Sequence, residues 1–401
     1  MLCRMPPHES PLGRLRRGHE ELVLSLLRRH GPLSRAELGG HSGLSRTTLY
    51  DIVAELVERG AVVATPCDPA LRRRGRPVET LTLNPEAGQA IGIDFARRAV
   101  HVAAVNVAHE VIGSASRGHA ADLPWEDRVA LAERLVGTLG EGPLRLGALS
   151  AIGVGVVGPV VDPDAERAPG GPHGDLPALL RKRFAVPVLL DNNTRLAALA
   201  EATWGAAADD EDVLYLRLSH GVGGGLVVGG SLHRGAYGLA GEFGHITVDA
   251  ADGARCSCGG TGCLETVASV GAVLAACRAA GGTAQNLPDL LRAVAAKDPV
   301  ALRVLESVGG RVGAVLAAVS NAVGPGVIVL GGALAEAGAP LLDAVRAAFT
   351  ADLLPLAREK VELRRASLGE VAGALGAIAL VLHESPLLSR YPARPESEES
   401  S

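Results

Sequence analysis

The densest chemistry in this 401-residue sequence is the run His245-x10-Cys256-x-Cys258-x4-Cys263. Three thiolates and one imidazole are the ligand types of a closed, tetrahedral structural zinc site, with no position left open for water or substrate. Asp252-Gly253 and Gly259-Gly260 supply the turns that fold four ligands onto one ion. The other cysteines, Cys3, Cys67 and Cys277, are scattered. In a reducing compartment, clustered cysteines point to metal rather than disulfide. A second chemistry is cationic. Residues 1–85 carry 13 arginines against 9 carboxylates, a net of +4, while the whole chain stands at −5, so the remainder carries −9. A basic arm on an acidic body points to nucleic-acid contact at one end only.

The basic segment has the elements needed to present those arginines. A helix is expected over 20–31, with Val23, Leu26 and Leu27 at helical spacing and Gly31 as its terminator. Ser34-Arg35-Ala36-Glu37 fits the capping box of a short second helix ending near Gly39-Gly40. Gly43 supplies a turn and Ser45 caps a third helix, in which Leu49, Ile52, Val53 and Leu56 form the buried stripe. Ser45, Arg46, Thr47 and Tyr50 then lie at the N-terminal end, the end of a recognition helix that reaches base edges in the major groove. The helix stops at Gly60, and two strands, Ala61–Thr65 and Val78–Leu83, flank a loop bearing Arg72, Arg73, Arg74 and Arg76. Such a loop runs along phosphates or enters the minor groove. This order predicts a winged helix-turn-helix over residues 19–84, behind an N-terminal arm (1–18), with double-stranded DNA as its partner. A small helical domain with a solvated basic loop is the alternative.

From residue 85 the pattern changes. Strands are expected at Ala90–Phe95, Ala99–Val107 and Glu110–Ser116, a helix at Trp125–Leu139 and a strand at Leu149–Val157. A strand at Val186–Leu190 leads to a helix at Leu196–Trp204, and tandem strands follow at Val213–Leu218 and Gly225–Val228. Ala-rich helices then alternate with Val327–Leu330 and Val361–Leu363. Strand triplets alternating with helices, twice over, predict an α/β body of two related lobes. No run of 18 apolar residues is present, which excludes a helical membrane span. The start lacks the apolar run of a signal peptide, so a cytoplasmic location is expected. Residues 384–401 are polar and charged and are expected to be a disordered tail.

Gly238-Leu239-Ala240-Gly241-Glu242-Phe243-Gly244-His245, followed by Cys256-Ser257-Cys258-Gly259-Gly260-Thr261-Gly262-Cys263-Leu264-Glu265, resembles the signature of the ROK family of bacterial repressors and sugar kinases. The similarity covers roughly residues 88–383. It implies a sugar-kinase-like, actin-like ATPase body of two lobes, and a winged helix in front is the arrangement of the family's transcriptional regulators. The resemblance implies a repressor of carbohydrate-related genes, acting as a homodimer or homotetramer on operator DNA and responding to a sugar or sugar phosphate. Asn192, Glu242, His245 and Glu265 match family positions that bind sugar hydroxyls, with one ring nitrogen of His245 on the metal and the other on the sugar. Asn193 is placed to hydrogen-bond a hydroxyl beside them. Against this, Glu242 and Glu265 would also serve as mere support for the metal loop. The family's sugar-contacting Asn and Trp after Gly158-Pro159 have no counterpart in Ala168–Leu176.

The same resemblance argues against kinase chemistry. The family's general base, the Asp of E-N-D-x-N, falls on Asn193 in Asp191-Asn192-Asn193-Thr194-Arg195. Asparagine cannot accept the hydroxyl proton, and loss of a general base costs about 10²–10⁴-fold in rate. The phosphate loop D-x-G-x-T reads Asp94-Phe95-Ala96-Arg97-Arg98, and L-G-T-G-x-G-G-G reads Leu218-Ser219-His220-Gly221-Val222-Gly223-Gly224-Gly225, keeping only its glycine half. Gly331-Gly332 resembles the adenosine-side turn and is equally explained by packing. No catalytic residue and no ATP are expected. The alternatives are a bifunctional ATP-dependent sugar kinase, a regulator without a sugar effector, and a regulator that senses the metal itself.

Overall fold

The computed structural model describes residues 11–58, 61–66, 79–84, 89–105, 111–140, 149–160, 173–184 and 186–384. Arg72, Arg73, Arg74 and Arg76, residues 161–172 and the tail from 385 onward lie outside the described residues. The N-terminal unit has three helices, α1 (Pro11–His30), α2 (Arg35–Ser42) and α3 (Arg46–Glu58), and three strands, β1 (Leu33–Ser34), β2 (Val62–Pro66) and β3 (Glu79–Leu83), in the antiparallel order β1-β3-β2. α1 starts at Pro11, inside the segment expected to be an arm: proline is tolerated in a first helical turn, and Gly13 and Gly18 weaken a helix without breaking it. The capping box forms as expected, since Glu37 N–H donates to Ser34 Oγ at 3.2 Å and Ser34 N–H to Glu37 Oε2 at 2.8 Å. α2 runs on past Gly39-Gly40 to Ser42 and ends on Gly43, whose φ of 65° suits glycine. Leu49, Ile52, Val53 and Leu56 are buried in one core with Val23, Leu24, Leu27, Leu38 and Leu81.

The body repeats one topology twice. In the first lobe β4 (Gln89–Phe95), β5 (Ala99–Val105) and β6 (Val111–Gly118) form an antiparallel meander; α4 (Trp125–Gly140) leads to β7 (Leu149–Val156), and α5 (Leu176–Phe184) to β8 (Val188–Asn192). Its sheet order is β6-β5-β4-β7-β8, with both β4–β7 and β7–β8 parallel. After α6 (Asn193–Thr203) the pattern returns as β9 (Val213–Leu218), β10 (Val222–Val228) and β11 (Ser231–His233). Then come α7 (Glu265–Ala268), α8 (Val270–Ala279), α9 (Leu287–Ala295), α10 (Pro299–Val323), β12 (Val327–Gly331), α11 (Ala339–Asp352) and β13 (Glu362–Arg365). The second order, β11-β10-β9-β12-β13, has the same succession of antiparallel and parallel pairings. Parallel neighbours need long crossovers, which is why helices enter after each meander.

The last helix, α12 (Ala372–Glu384), returns to the first lobe and lies on β4 and β7 so closely that a Cβ at Gly92 would sit 1.8 Å from Ala374 O, and one at Gly153 would sit 1.9 Å from Ala377 O. A Cβ at Gly376 would likewise meet Leu196 O at 1.7 Å, so α12 and α6 cross in backbone contact. α6 in turn packs on β10, and the two helices form the layer between the sheets. The glycine run differs from expectation. β10 starts at Val222 rather than at Gly225, so Gly223 and Gly224 lie inside the strand; a Cβ at Gly224 would strike Phe243 and one at Gly225 would strike Ala198. No helix among the described residues is long and apolar enough to cross a membrane.

Candidate functional site: the metal loop and the corner between β8 and α6

Between β11 and α7 the chain is mostly turns, held by isolated bridges pairing Thr247 with Cys263 and Arg255 with Thr261. These bring His245, Cys256, Cys258 and Cys263 together, with one ligand atom from each lying within 4.8 Å of the others, a set that could hold a metal ion. Cys258 Sγ stands 3.7 Å from Cys263 Sγ, and Cys256 Sγ stands 3.5 Å from His245 Nδ1. Gly262, at φ 68°, passes so close to Asp249 that any side chain would collide with its carbonyl at 1.7 Å. Cys256 and Cys263 are buried, while Cys258 is exposed. His245 uses Nδ1 on the thiol side and turns Nε2 to Glu242 Oε2 at 3.9 Å.

The second cluster sits where β8 meets α6. Asn192 is the N-cap: its Oδ1 accepts from Thr194 N–H at 2.9 Å and Arg195 N–H at 3.1 Å, and its Nδ2 donates to Gly158 O at 2.8 Å. Asn193 is 4% exposed, and its Nδ2 donates to Asp94 Oδ1 at 3.0 Å. Asp94 is buried, and that burial pushes its carboxyl above the usual carboxylate value, opposed by the charges of Arg217 and His101 and by the Asn193 amide. An aspartate at position 193 would set two carboxylates about 3 Å apart, which repel when both ionise; the amide instead donates a hydrogen bond to the Asp94 carboxyl.

Sequence reasoning missed the most buried charges of the corner. Asp191 and Arg195 are each 1% exposed and paired at 2.7 Å, and Arg234 Nε donates to the other Asp191 oxygen at 2.6 Å. Arg195 also donates to the carbonyls of Gly238 and Val160. This ties α6 to the Gly238–Gly241 turn that leads into Glu242 and the metal loop. The signal was present: an acid and an arginine four residues apart at a helix start form an i,i+4 pair, and Arg195 departs from the last Asn of E-N-D-x-N. Glu265 goes elsewhere. Its Oε2 accepts from Val222 N–H at 3.0 Å, which fixes the β9–β10 turn from the first residue of α7.

On the N-terminal unit, Ser45, Arg46, Thr47 and Tyr50 are exposed. Ser45 Oγ accepts from Thr48 N–H at 3.2 Å, so this hydroxyl caps α3. Tyr50 is 45% exposed and carries two guanidiniums, Arg35 at 4.8 Å and Arg46 at 5.8 Å from the ring centroid. Arg35, missed as a surface cation, also pairs with Glu79 at 3.4 Å.

The ROK family model matches residues 90–384. A glucokinase of Halalkalibacterium halodurans is 37% identical over 213 residues, which are 49% of this chain and 64% of that enzyme. The xylose repressor of Bacillus spizizenii is 26% identical over 372 residues, covering 91% of this chain and 94% of the repressor. The crystal structure of a ROK family transcriptional regulator, a homologue of the Escherichia coli MLC protein, aligns with a TM-score of 0.78 at 27% identity, covering 93% of this chain and 98% of that one. The glucokinase match stops at half of the chain, whereas the repressor and the regulator match its length. This protein belongs to the ROK family.

Proposed function

We propose that this chain is a zinc-containing, DNA-binding transcription regulator, a repressor of carbohydrate-related genes whose body responds to a sugar or sugar phosphate and does not phosphorylate it. The observation that carries the reading is the pairing of a regulator-length match with Asn193 bonded to Asp94 at the general-base position. The N-terminal unit supports the DNA partner: three helices and an antiparallel sheet have the order of a winged helix-turn-helix, with Arg46, Thr47 and Tyr50 exposed at the start of the third helix. Arg72, Arg73, Arg74 and Arg76 are assigned to the wing on sequence alone.

Zinc is supported by the ligand geometry. Tetrahedral coordination with Zn–S of about 2.3 Å and Zn–N of about 2.0–2.1 Å gives edges of about 3.8 Å between sulfurs and about 3.5 Å between sulfur and nitrogen. Two of the six separations, Cys258 Sγ to Cys263 Sγ and Cys256 Sγ to His245 Nδ1, are 3.7 and 3.5 Å, and the whole set lies within 4.8 Å. Four protein ligands leave no open position, so the ion would supply rigidity: it would fix the His245 ring and aim Nε2, beside Glu242, at a hydroxyl. Asn192, whose Nδ2 keeps one N–H beyond its bond to Gly158, and Asn193 complete the sugar side in this reading.

Closure of the lobes around a sugar would alter the spacing of two DNA-binding units in a dimer, whose half-sites lie about 34–36 Å apart. A ligand shifts that equilibrium only if it binds the two states unequally. The test is operator affinity, on DNA enriched by the full-length protein from genomic fragments, with and without a panel of sugars and sugar phosphates. Wild type should respond and Glu242→Ala should not, while ATP turnover with the same panel stays at background. A panel with no effect on wild type, or turnover above background, refutes the reading.

A further inference from the structure

One surface contact of the N-terminal unit joins three of its elements. β1 pairs with β3 so that Leu33 faces Leu81 and Ser34 faces Thr80. Carried one residue further, this register brings Arg35, the first residue of α2, beside Glu79, the first residue of β3. Glu79 shares its strand face with Leu81 and Leu83, which are buried in one core with the α3 stripe, so it stands at the rim of that core. Arg35 Nη2 donates to Glu79 Oε2 at 3.4 Å. The same guanidinium lies over the Tyr50 ring of α3, 4.8 Å from its centroid. Glu79 also pairs with Pro66, the last residue of β2, at the end of the hairpin where residues 67–78, with Arg72, Arg73, Arg74 and Arg76, depart. Arg35 therefore links the start of α2, the reading end of α3 and the base of the wing.

Tyr50 is 45% exposed, so core packing alone does not fix its ring. The Arg35 and Glu79 side chains are 22% and 56% exposed, and an ion pair that open to water adds little to folding. What the contact does supply is placement. A guanidinium is drawn to the face of a tyrosine and holds the ring against it. Arg46, at 5.8 Å from the same centroid, comes from α3 itself, one turn earlier, and so relates the ring to nothing outside that helix. Arg35 comes from another helix and is tied to a strand. We propose that Arg35 is a positioning residue for DNA selectivity: it holds the Tyr50 ring at the reading end of α3 and, through Glu79, fixes the base of the wing relative to that ring. Its charge is engaged by Glu79 and by the ring rather than by phosphate, so its removal costs discrimination between sequences more than general affinity. The inference rests on the DNA-binding reading above and adds Arg35 and Glu79 to it.

The test is a double-mutant cycle on the full-length protein, read as the ratio of operator to random-DNA affinity over a salt series. Arg35→Met should lower operator affinity about three- to tenfold, the combined scale of an exposed cation–π contact and a surface ion pair, and should change random-DNA affinity less. Arg35→Lys, which keeps the charge but has no planar group to lay on the ring, should fall between Arg35→Met and wild type. Glu79→Gln should lower the ratio from both sides, since it loosens the tether and removes a negative charge that repels DNA. On a Tyr50→Ala background Arg35→Met should cost less than it does alone, because the ring it holds is gone. The salt slope on random DNA should stay that of wild type, whereas loss of a direct phosphate contact would flatten it by about 0.9. A merely structural role would lower both affinities together and leave the ratio where it was. The proposal is overturned if Arg35→Met leaves the ratio unchanged, if it flattens the slope while weakening both DNAs alike, or if its effect adds fully to that of Tyr50→Ala. In each of these cases wild type still prefers operator and the DNA-binding reading stands; a wild type without that preference overturns both.

Discussion

Arg195→Met strips the corner between β8 and α6 of its buried cation while keeping a long side chain of similar helix propensity. Asp191 would not be left alone, because Arg234 Nε still holds one oxygen at 2.6 Å and Asn192 N–H donates to the other at 2.6 Å. Removing one partner of a buried pair costs about 3–5 kcal/mol, and the surviving Arg234 contact places the ionic part at the lower end. The carbonyls of Gly238 and Val160 also lose a charged donor, at about 1 kcal/mol in total if the turn can relax toward water. The expected loss is therefore about 4 kcal/mol, and at about 2–4 °C per kcal/mol for domains of 150–250 residues the Tm should fall by about 8–16 °C. Trp204, the C-cap of α6, is a fluorescence reporter on the same helix. Adding Asp191→Asn should restore part of the loss, since the cost is then no longer an orphaned charge. A single variant within about 1 kcal/mol of wild type, or a double variant worse than the sum of the two singles, would refute the reasoning.

Cys258→Ser should lose the metal in elemental analysis, and with it much of a binding energy that is about 10–16 kcal/mol in zinc-finger peptides; a metal-free variant with wild-type Tm would count against a structural role. Tyr50→Ala or Arg46→Ala should weaken operator binding by about 1–3 kcal/mol at fixed salt with a smaller effect on random DNA, and equal losses on both would remove these residues from base reading. Asp94→Asn probes the buried carboxyl, which burial raises above the usual value. An acid that holds its proton to higher pH in the folded state favours folding below its unfolded value, and that contribution is lost as pH rises through the folded value. Asp94→Asn should therefore be more stable than wild type at pH 7, with the gap narrowing toward about pH 4; urea midpoints that keep a constant gap across this range would contradict the assignment.

Much of this protein was legible in its residues because the features concerned are local. The S-x-x-E capping box at Ser34–Glu37, the stripe Leu49-Ile52-Val53-Leu56 and the strands of the first meander depend on backbone spacing within a turn or a strand, and they stand close to where the periodicity put them, whereas in the second meander β11 was not expected and β10 starts three residues early. The His245 and cysteine spacing pointed to a candidate metal-ligand set, and the structure brings these four residues together. What periodicity could not assign were contacts between segments far apart in sequence. Whether Gly223–Gly225 form a phosphate loop or the inside of a strand was decided by Phe243 and α6 pressing on either side of β10. The Asn193 amide found its partner 99 positions away, on Asp94, and Arg195 found Gly238 43 positions on. Arg217 reads in sequence as one more charge at a strand end, and only the meeting of β9, β12 and α12 encloses it. Local rules set which backbone forms. Packing between the two lobes decided which charges lost their water, and so which of them now require a partner.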